Sequence, residues 1–284
     1  MPIRWSHLCC LVLVLTALIG QSGCRGFIDQ TDYEIDKQVE KFALSNQIPL
    51  DAFMLEILVV ERPADDPLLG ETLWKQIDEV GSIDFESRTR LKDLGLAVGL
   101  VGSCPPLELQ RLLGIETRLT DRAGTSRETL ISGNRLVLRD GEETHIQTSD
   151  PFKALAIPPQ SELEDPQDFY NAQGMIRVRC ERLQDGWLRL HILPEIHHGG
   201  ERARPVANEQ EWTIDNSKEI YPVHRGRVTL DLALNEIAVM TTDRNPDSLS
   251  LGPVFFQARK KGRPVQRMVV IRLAKMERLK PLYD

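Results

Sequence analysis

Between residues 115 and 284 the chain is cut into short apolar runs by turn-forming residues, and this punctuation commits it to a β-rich fold. The turn signals are Arg139-Asp140-Gly141, Gln184-Asp185-Gly186, His198-Gly199-Gly200 and Lys261-Gly262-Arg263. Each supplies a glycine where a chain reversal needs left-handed backbone. Between them, Met175-Ile176-Arg177-Val178-Arg179 and Trp187-Leu188-Arg189-Leu190 alternate apolar with charged residues. A period of two places the apolar set on one face of a strand. An antiparallel sheet or sandwich is expected here, with the proline-bearing residues 158–173 as an exposed loop. No repeat of fixed period occurs.

Residues 51–114 read differently. Phe53 to Val60 is dense in apolar and β-branched residues and closes at Glu61-Arg62-Pro63, so it reads as a strand. Leu69, Leu73, Trp74 and Ile77 mark one face of a helix ending near Gly81. Asp84 is placed to cap a second helix that stops at Gly95. Leu96 to Val101 returns as a strand, and Ser103 is placed to cap a third helix with Pro105 and Pro106 in its first turn and Gly114 at its end. The expected fold class is therefore α+β: a small α/β unit over 51–114 followed by an antiparallel β-rich, sandwich-like domain over 115–284.

The start of the chain reads as an export signal. Arg4 supplies a positive flank, and Leu8 to Gly20 is apolar apart from Thr16, too short to span a bilayer. Ser22 and Gly23 then lead into Cys24, which is expected to become the lipidated first residue after removal of 1–23. The position three before it is Gln21 rather than an aliphatic residue, and Leu18-Ile19-Gly20 resembles a lipoprotein box displaced upstream, so secretion without a lipid and an uncleaved anchor are the alternatives. By resemblance to the enteric sorting rule, Arg25 implies the periplasmic face of the outer membrane. Residues 24–50 read as anchor and tether, with Ile35, Val39 and Phe42 at helical spacing before Pro49.

The formal net charge of −7 argues against general nucleic-acid binding, which needs a basic surface. The charge is uneven: from Arg259 onward there are nine Lys or Arg against Glu277 and Asp284. Such residues on a last strand are expected to blunt an exposed sheet edge, with contact to an acidic partner or lipid headgroup as the alternative. Cys104 and Cys180 are the cysteines beyond Cys24. An oxidising envelope permits a bond between them; isolated buried thiols are the other reading.

One concentration of metal-type ligands stands out: His191, Glu195, His197 and His198. On a strand, His191, Glu195 and His197 project to one face, although Pro194 interrupts them. Two imidazoles and a carboxylate suit zinc, and an open fourth position suits metal-assisted hydrolysis. The opposing reading is a polar strand face ending in a turn. No HExxH, nucleophile elbow, Walker A loop or GxGxxG turn is present. Gly99 to Ser103 reads as a strand-to-helix turn, and Asp78 with Glu79 as solvated surface. Trp74 is expected in the core. Trp187 and Trp212 are candidates for a glycan platform, with packing as their alternative.

Leu68-Leu69-Gly70, Leu73-Trp74, Ile77-Asp78-Glu79 and the stretch Leu91 to Gly99 resemble a pattern in planctomycete envelope lipoproteins of unassigned activity. Separately, Leu190, Ile192, Pro194 and Ile196 are similar to a Leu-x-Val-x-Pro-x-Ile strand of secretins, the outer-membrane export rings, while the family's membrane-lip motif is missing. With the export signal and the lack of a catalytic motif, the expected protein is a bacterial envelope lipoprotein with no catalytic role: an interaction or assembly component bound to an envelope protein or wall polymer. A metal-assisted hydrolase and an accessory protein of a secretin-type export system are the competing readings.

Overall fold

A computed structural model describes residues 52–79, 81–114, 130–157, 167–207, 212–243 and 250–277 of the 284-residue chain, all within one compact unit, Ile48–Asp284. The export signal, Cys24 and the tether lie outside the described residues. The fold is α+β and mostly antiparallel sheet, as the alternation predicts.

The chain opens with β1 (Ala52–Pro63), a 3-10 turn over Pro67–Leu69, α1 (Glu71–Trp74) and α2 (Phe85–Asp93). It continues through β2 (Leu96–Val101), α3 (Leu107–Leu112), β3 (Leu130–Arg139), β4 (Glu143–Gln147) and β5 (Phe152–Ile157). Two long strands follow, β6 (Gln167–Gln184) and β7 (Trp187–Ala207), then β8 (Trp212–Pro222), β9 (Val228–Ala233) and β10 (Ile237–Thr242). The last elements are α4 (Gly252–Phe256), β11 (Gln257–Lys260) and β12 (Arg263–Glu277).

These strands make two six-stranded sheets. The first runs β2-β10-β12-β1-β3, with β11 on β12. The second is built on the β6–β7 hairpin, whose turn at Asp185-Gly186 has Gly186 at φ +81, as its sequence requires. Shorter strands line the hairpin end to end: β4 and β5 along β6, β9 and β8 along β7.

Both sheets close on one apolar core. Phe53, Leu55 and Ile57 of β1 and Val269, Ile271 and Leu273 of β12 share it with Ile176 and Val178 of β6 and Leu188, Leu190 and Ile192 of β7. Alternate residues of the first sheet, such as Val60, Val239, Met268 and Val270, are buried outside that shared cluster. Leu69, Leu73, Trp74 and Ile77 are buried as their spacing predicts. Ile77 is held over β2, because a Cβ on Gly99 would come within 2.5 Å of its Cγ2, and Asp78 and Leu100 exchange backbone hydrogen bonds of 2.8 and 3.0 Å.

Several expectations are corrected by this topology. The boundary expected at 114/115 does not separate compact units, since β1 and β2 are parted by β10 and β12 from the far end of the chain. The long first helix is instead a 3-10 turn and a one-turn helix, because Gly70 between them is extended at φ −82 and ψ −163 and the chain beyond Trp74 leaves to pair Asp78 with Leu100 of β2. The third helix starts after Pro106, not at Ser103. Asp84 does cap α2, accepting from the Ser87 amide at 2.8 Å, and Gly95 ends it at φ +69. Of the loop expected over 158–173, residues 167–173 belong to β6.

The basic C-terminal stretch is divided. Arg259 and Lys260 lie on β11, which among the described strands pairs only with β12 and is the charged edge expected, whereas Arg267 and Arg272 lie on β12, between β10 and β1. Arg267 and Arg272 are used inside the fold. Arg272 lies 3.1 Å from Glu56, which Arg135 of β3 approaches at 2.8 Å from the other side. Arg267 bonds Glu61, and the two stand directly opposite each other in the β1–β12 register.

Cys104 and Cys180 are not joined. Cys104 is exposed after β2, whereas Cys180 points from β6 into the shared core. Burial, with Glu142 and Asp140 adding to it, pushes the Cys180 thiol up to about 12. Alkylation of the native protein at about pH 8 should therefore leave the Cys180 peptide unmodified, with full labelling only in denaturant. Peptide mass mapping reads this directly; modification before unfolding would contradict a core thiol.

Candidate functional site

Among the described residues, the outer face of the second sheet brings two imidazoles and a carboxylate within ligand-like distance of one another. Residues on β7 alternate, so Leu190, Ile192 and Ile196 enter the core while His191, Glu195 and His197 face outward. Pro194 does not break the strand. Its carbonyl accepts from the Val223 amide, on the side where β9 has ended at Ile192 and β8 takes over at Glu195. A residue without an N–H fits that handover.

Glu195 is the centre of the arrangement, only 2% exposed. Its Oε2 lies 3.1 Å from His197 Nε2 and 3.2 Å from His145 Nε2. Its Oε1 lies 3.0 Å from Arg177 Nε. Burial alone would raise the carboxyl, but the bonds from His145 and His197 and the charge of Arg177 outweigh it and pull Glu195 down to about 2. His145, His197 and Arg177 thus cover the carboxylate and favour its ionised form. The His145 and His197 rings meet edge to face at 5.3 Å between centroids.

His145 is the member that sequence reading missed. It comes from β4, a strand on the far side of β6 from β7, and stands opposite Arg177, which in turn stands opposite Leu193. The Arg139-Asp140-Gly141 turn puts it there. Gly141 at φ +78 carries the chain out of the first sheet, and its amide bonds the Cys180 carbonyl of β6 at 2.7 Å.

His191, by contrast, is not part of the group. It shares a face with Glu195, but four residues of strand separate them by about 13 Å. It pairs instead with Glu181 at 2.9 Å and Thr229 at 3.3 Å. His198 turns to the other face and packs on Phe169, ring centroids 4.6 Å apart. The expected turn at His198-Gly199-Gly200 is not a reversal. Gly199 at φ +77 accommodates a register shift in β7, which runs on to Ala207.

Trp74 is buried, as expected, and the side chain of Trp212 lies outside the described residues. Trp187, 39% exposed, borders an open depression of about 480 Å³ with Asp78, Asp84, Asp231 and Glu236. Its polar groups are engaged by the fold: Arg189 holds Asp231 with two bonds of 2.7 and 2.9 Å, Asp78 accepts from the Gly81 amide, and Glu236 accepts from the Ala233 amide. They serve turns and cross-strand pairing.

No protein-family model matches the chain, and no curated protein matches it either, so the planctomycete resemblance gains no support from these. Secretins are among the solved structures to which it is similar. The type II secretin GspD of enteropathogenic Escherichia coli is similar at 13% identity and a TM-score of 0.26, over 87% of this chain and 75% of that one. Aeromonas hydrophila ExeD is similar at 12% and 0.28, over 95% and 59%. The T2SS secretin XcpQ of Pseudomonas aeruginosa is similar at 13% and 0.24, over 94% and 71%. Likeness of this degree carries no conclusion about role. In this chain, Leu190, Ile192 and Ile196 of the secretin-like stretch pack the core of a sandwich.

Proposed function

We propose that the chain is a lipid-tethered protein of the bacterial envelope whose folded part is an interaction or assembly component rather than a catalyst. The observation that carries this reading is the start of the sequence: a cationic head, a short apolar run, and Ser22-Gly23 leading into Cys24. Two acyl chains and an N-acyl group on Cys24 would anchor the protein stably, because a single chain binds a bilayer only marginally.

The fold supplies a surface suited to a partner. Among the described residues, strand β3 ends the first sheet, bonded to β1 on one side, and presents Ile131 and Val137 at 40% and 44% exposure. An edge of this kind accepts a further strand through its main-chain groups. The partner is an envelope protein or wall polymer, and the location is the periplasmic face of the outer membrane. An accessory role in a secretin-type export system is a special case of this reading.

Intact-mass analysis of the membrane-extracted protein tests it. The mature chain should begin at Cys24 and carry acyl mass, and a Cys24→Ser variant should lose that mass and leave the membrane fraction. An unmodified chain cut elsewhere would make the protein secreted without a lipid anchor. The same mild extract tests the export reading, since a ring-forming outer-membrane partner should co-purify if it is right.

A further inference from the structure

We propose that His145, Glu195 and His197 form a binding site for a divalent transition ion of the zinc class, bridging β4 to β7 across β6. The three ligand atoms lie within 4.8 Å of one another. Both imidazole Nε2 atoms converge on one carboxylate oxygen, at 3.1 and 3.2 Å. Donor atoms around a tetrahedral ion with bonds of about 2.0 Å stand roughly 3.3 Å apart, so these two spacings already fit. The remaining adjustment is a swing of His145, whose side chain is one-third exposed and free to approach.

In the metal-free arrangement each Nε2 presents its N–H to Glu195. Binding exchanges those two hydrogen bonds for metal bonds: each ring offers its Nε2 lone pair with one proton kept on Nδ1, and any further proton leaves to solvent. No redox step or co-reactant is involved.

The second oxygen of Glu195 is held by Arg177 at 3.0 Å. A hydrogen-bonded non-ligating oxygen is what fixes a carboxylate ligand in known metal sites. Arg177 also reaches Glu143 at 3.4 Å, so two carboxylates stand against one guanidinium and the local balance still favours a cation. Two imidazoles with one carboxylate select zinc, nickel, cobalt or copper(II) over calcium or magnesium, which demand more oxygens. Three protein ligands leave a position open to water or to a group from a partner. The site is independent of the anchor at Cys24, and neither stands or falls with the other.

The test is a zinc titration of the full-length, detergent-extracted protein after chelator treatment, followed by calorimetry and by metal analysis of the gel-filtered protein. The expected result is about one equivalent bound, with affinity reduced at least ~100-fold in His145→Ala and in His197→Ala. His191→Ala should bind as the parent does, since His191 faces Glu181. His145→Gln, with circular dichroism matching the parent, guards against loss by misfolding. Cobalt(II) added in place of zinc should give visible d–d absorption in the parent and in His191→Ala but not in His145→Ala. No binding by the parent, equal binding by all variants, or equal loss in His191→Ala would each overturn the proposal.

Discussion

Replacing Arg267 with methionine should lower the unfolding free energy by about 3–5 kcal/mol, the range for removing one partner from a buried ionic network. Arg267 is 8% exposed and lies on the core-facing side of β12. Its guanidinium bonds Glu61 of β1 at 3.0 Å, the Thr148 carbonyl at 2.9 Å and Asp150 at 2.7 Å. Thr148 and Asp150 belong to the link between β4 and β5, so this one side chain ties the first sheet to the second. Burial disfavours its charge, but the bonds to Asp150 and Glu61 more than compensate and raise its pKa.

Methionine keeps most of the volume and removes the charge. Among the described residues, Glu61, 7% exposed, would keep Lys260 at 2.7 Å and lose Arg267, and the Thr148 carbonyl would lose the Arg267 donor. Urea unfolding of the parent and of Arg267→Met measures the loss through the shift in midpoint. Adding Glu61→Gln should cost less in the Arg267→Met background than in the parent, since the orphaned carboxylate is then gone. Additive losses in that cycle would show that Arg267 and Glu61 do not act as a pair.

That network shows where sequence reading stops. The basic excess after Arg259 is plain in the composition, yet Glu61 stands 206 residues before Arg267, and no local pattern links them. The charged edge strand exists as β11, but the sheet order makes β12 interior, and nothing local in the sequence tells the two strands apart. The candidate site divides in the same way. Glu195 and His197 are legible because a strand's period of two is a local property. His145 is not, because its place depends on which strand pairs with β6 and in what register, and turn chemistry alone does not set that.

Some local features are legible in the sequence, although the first and third helices are not bounded as their patterns imply. Leu96–Val101 is a strand with the bounds its apolar run and Gly95 imply, and Asp84 caps α2. His198-Gly199-Gly200 misled because a glycine with positive φ serves a bulge as well as a reversal. Distinguishing the two requires the partner strand: β8 resumes pairing at Arg202 after the shift at His198. Likewise β1 and β2 look like neighbours in the sequence, but the strands that fill the space between them come from the far end of the chain.

Gly252→Ala is expected to be the most damaging single methyl addition, destabilising by about 3 kcal/mol or more, at or above the top of the overpacking range. A Cβ at this position would lie 1.8 Å from the carbonyl oxygen of Gly95, 2.6 Å from its carbonyl carbon and 2.7 Å from Thr242 Oγ1. Two of those atoms are backbone, so no rotamer change relieves the clash. The same carbonyl accepts from the Asp243 amide at 2.7 Å and from Thr242 Oγ1 at 3.1 Å, while the Gly252 amide bonds the Leu94 carbonyl at 2.8 Å. The end of α2, the end of β10 and the start of α4 are therefore locked by one backbone-to-backbone approach. Forcing it apart must break at least one of these bonds or displace Phe255 and Phe256, both fully buried in the shared core. Gly102→Ala is the matched control, because a Cβ there meets nothing within 4 Å and its backbone is not left-handed. It should stay within about 0.5 kcal/mol of the parent. Urea midpoints for the two variants decide the matter: if Gly252→Ala unfolds where Gly102→Ala does, the close approach of Gly252 to Gly95 is not what joins α2 to α4.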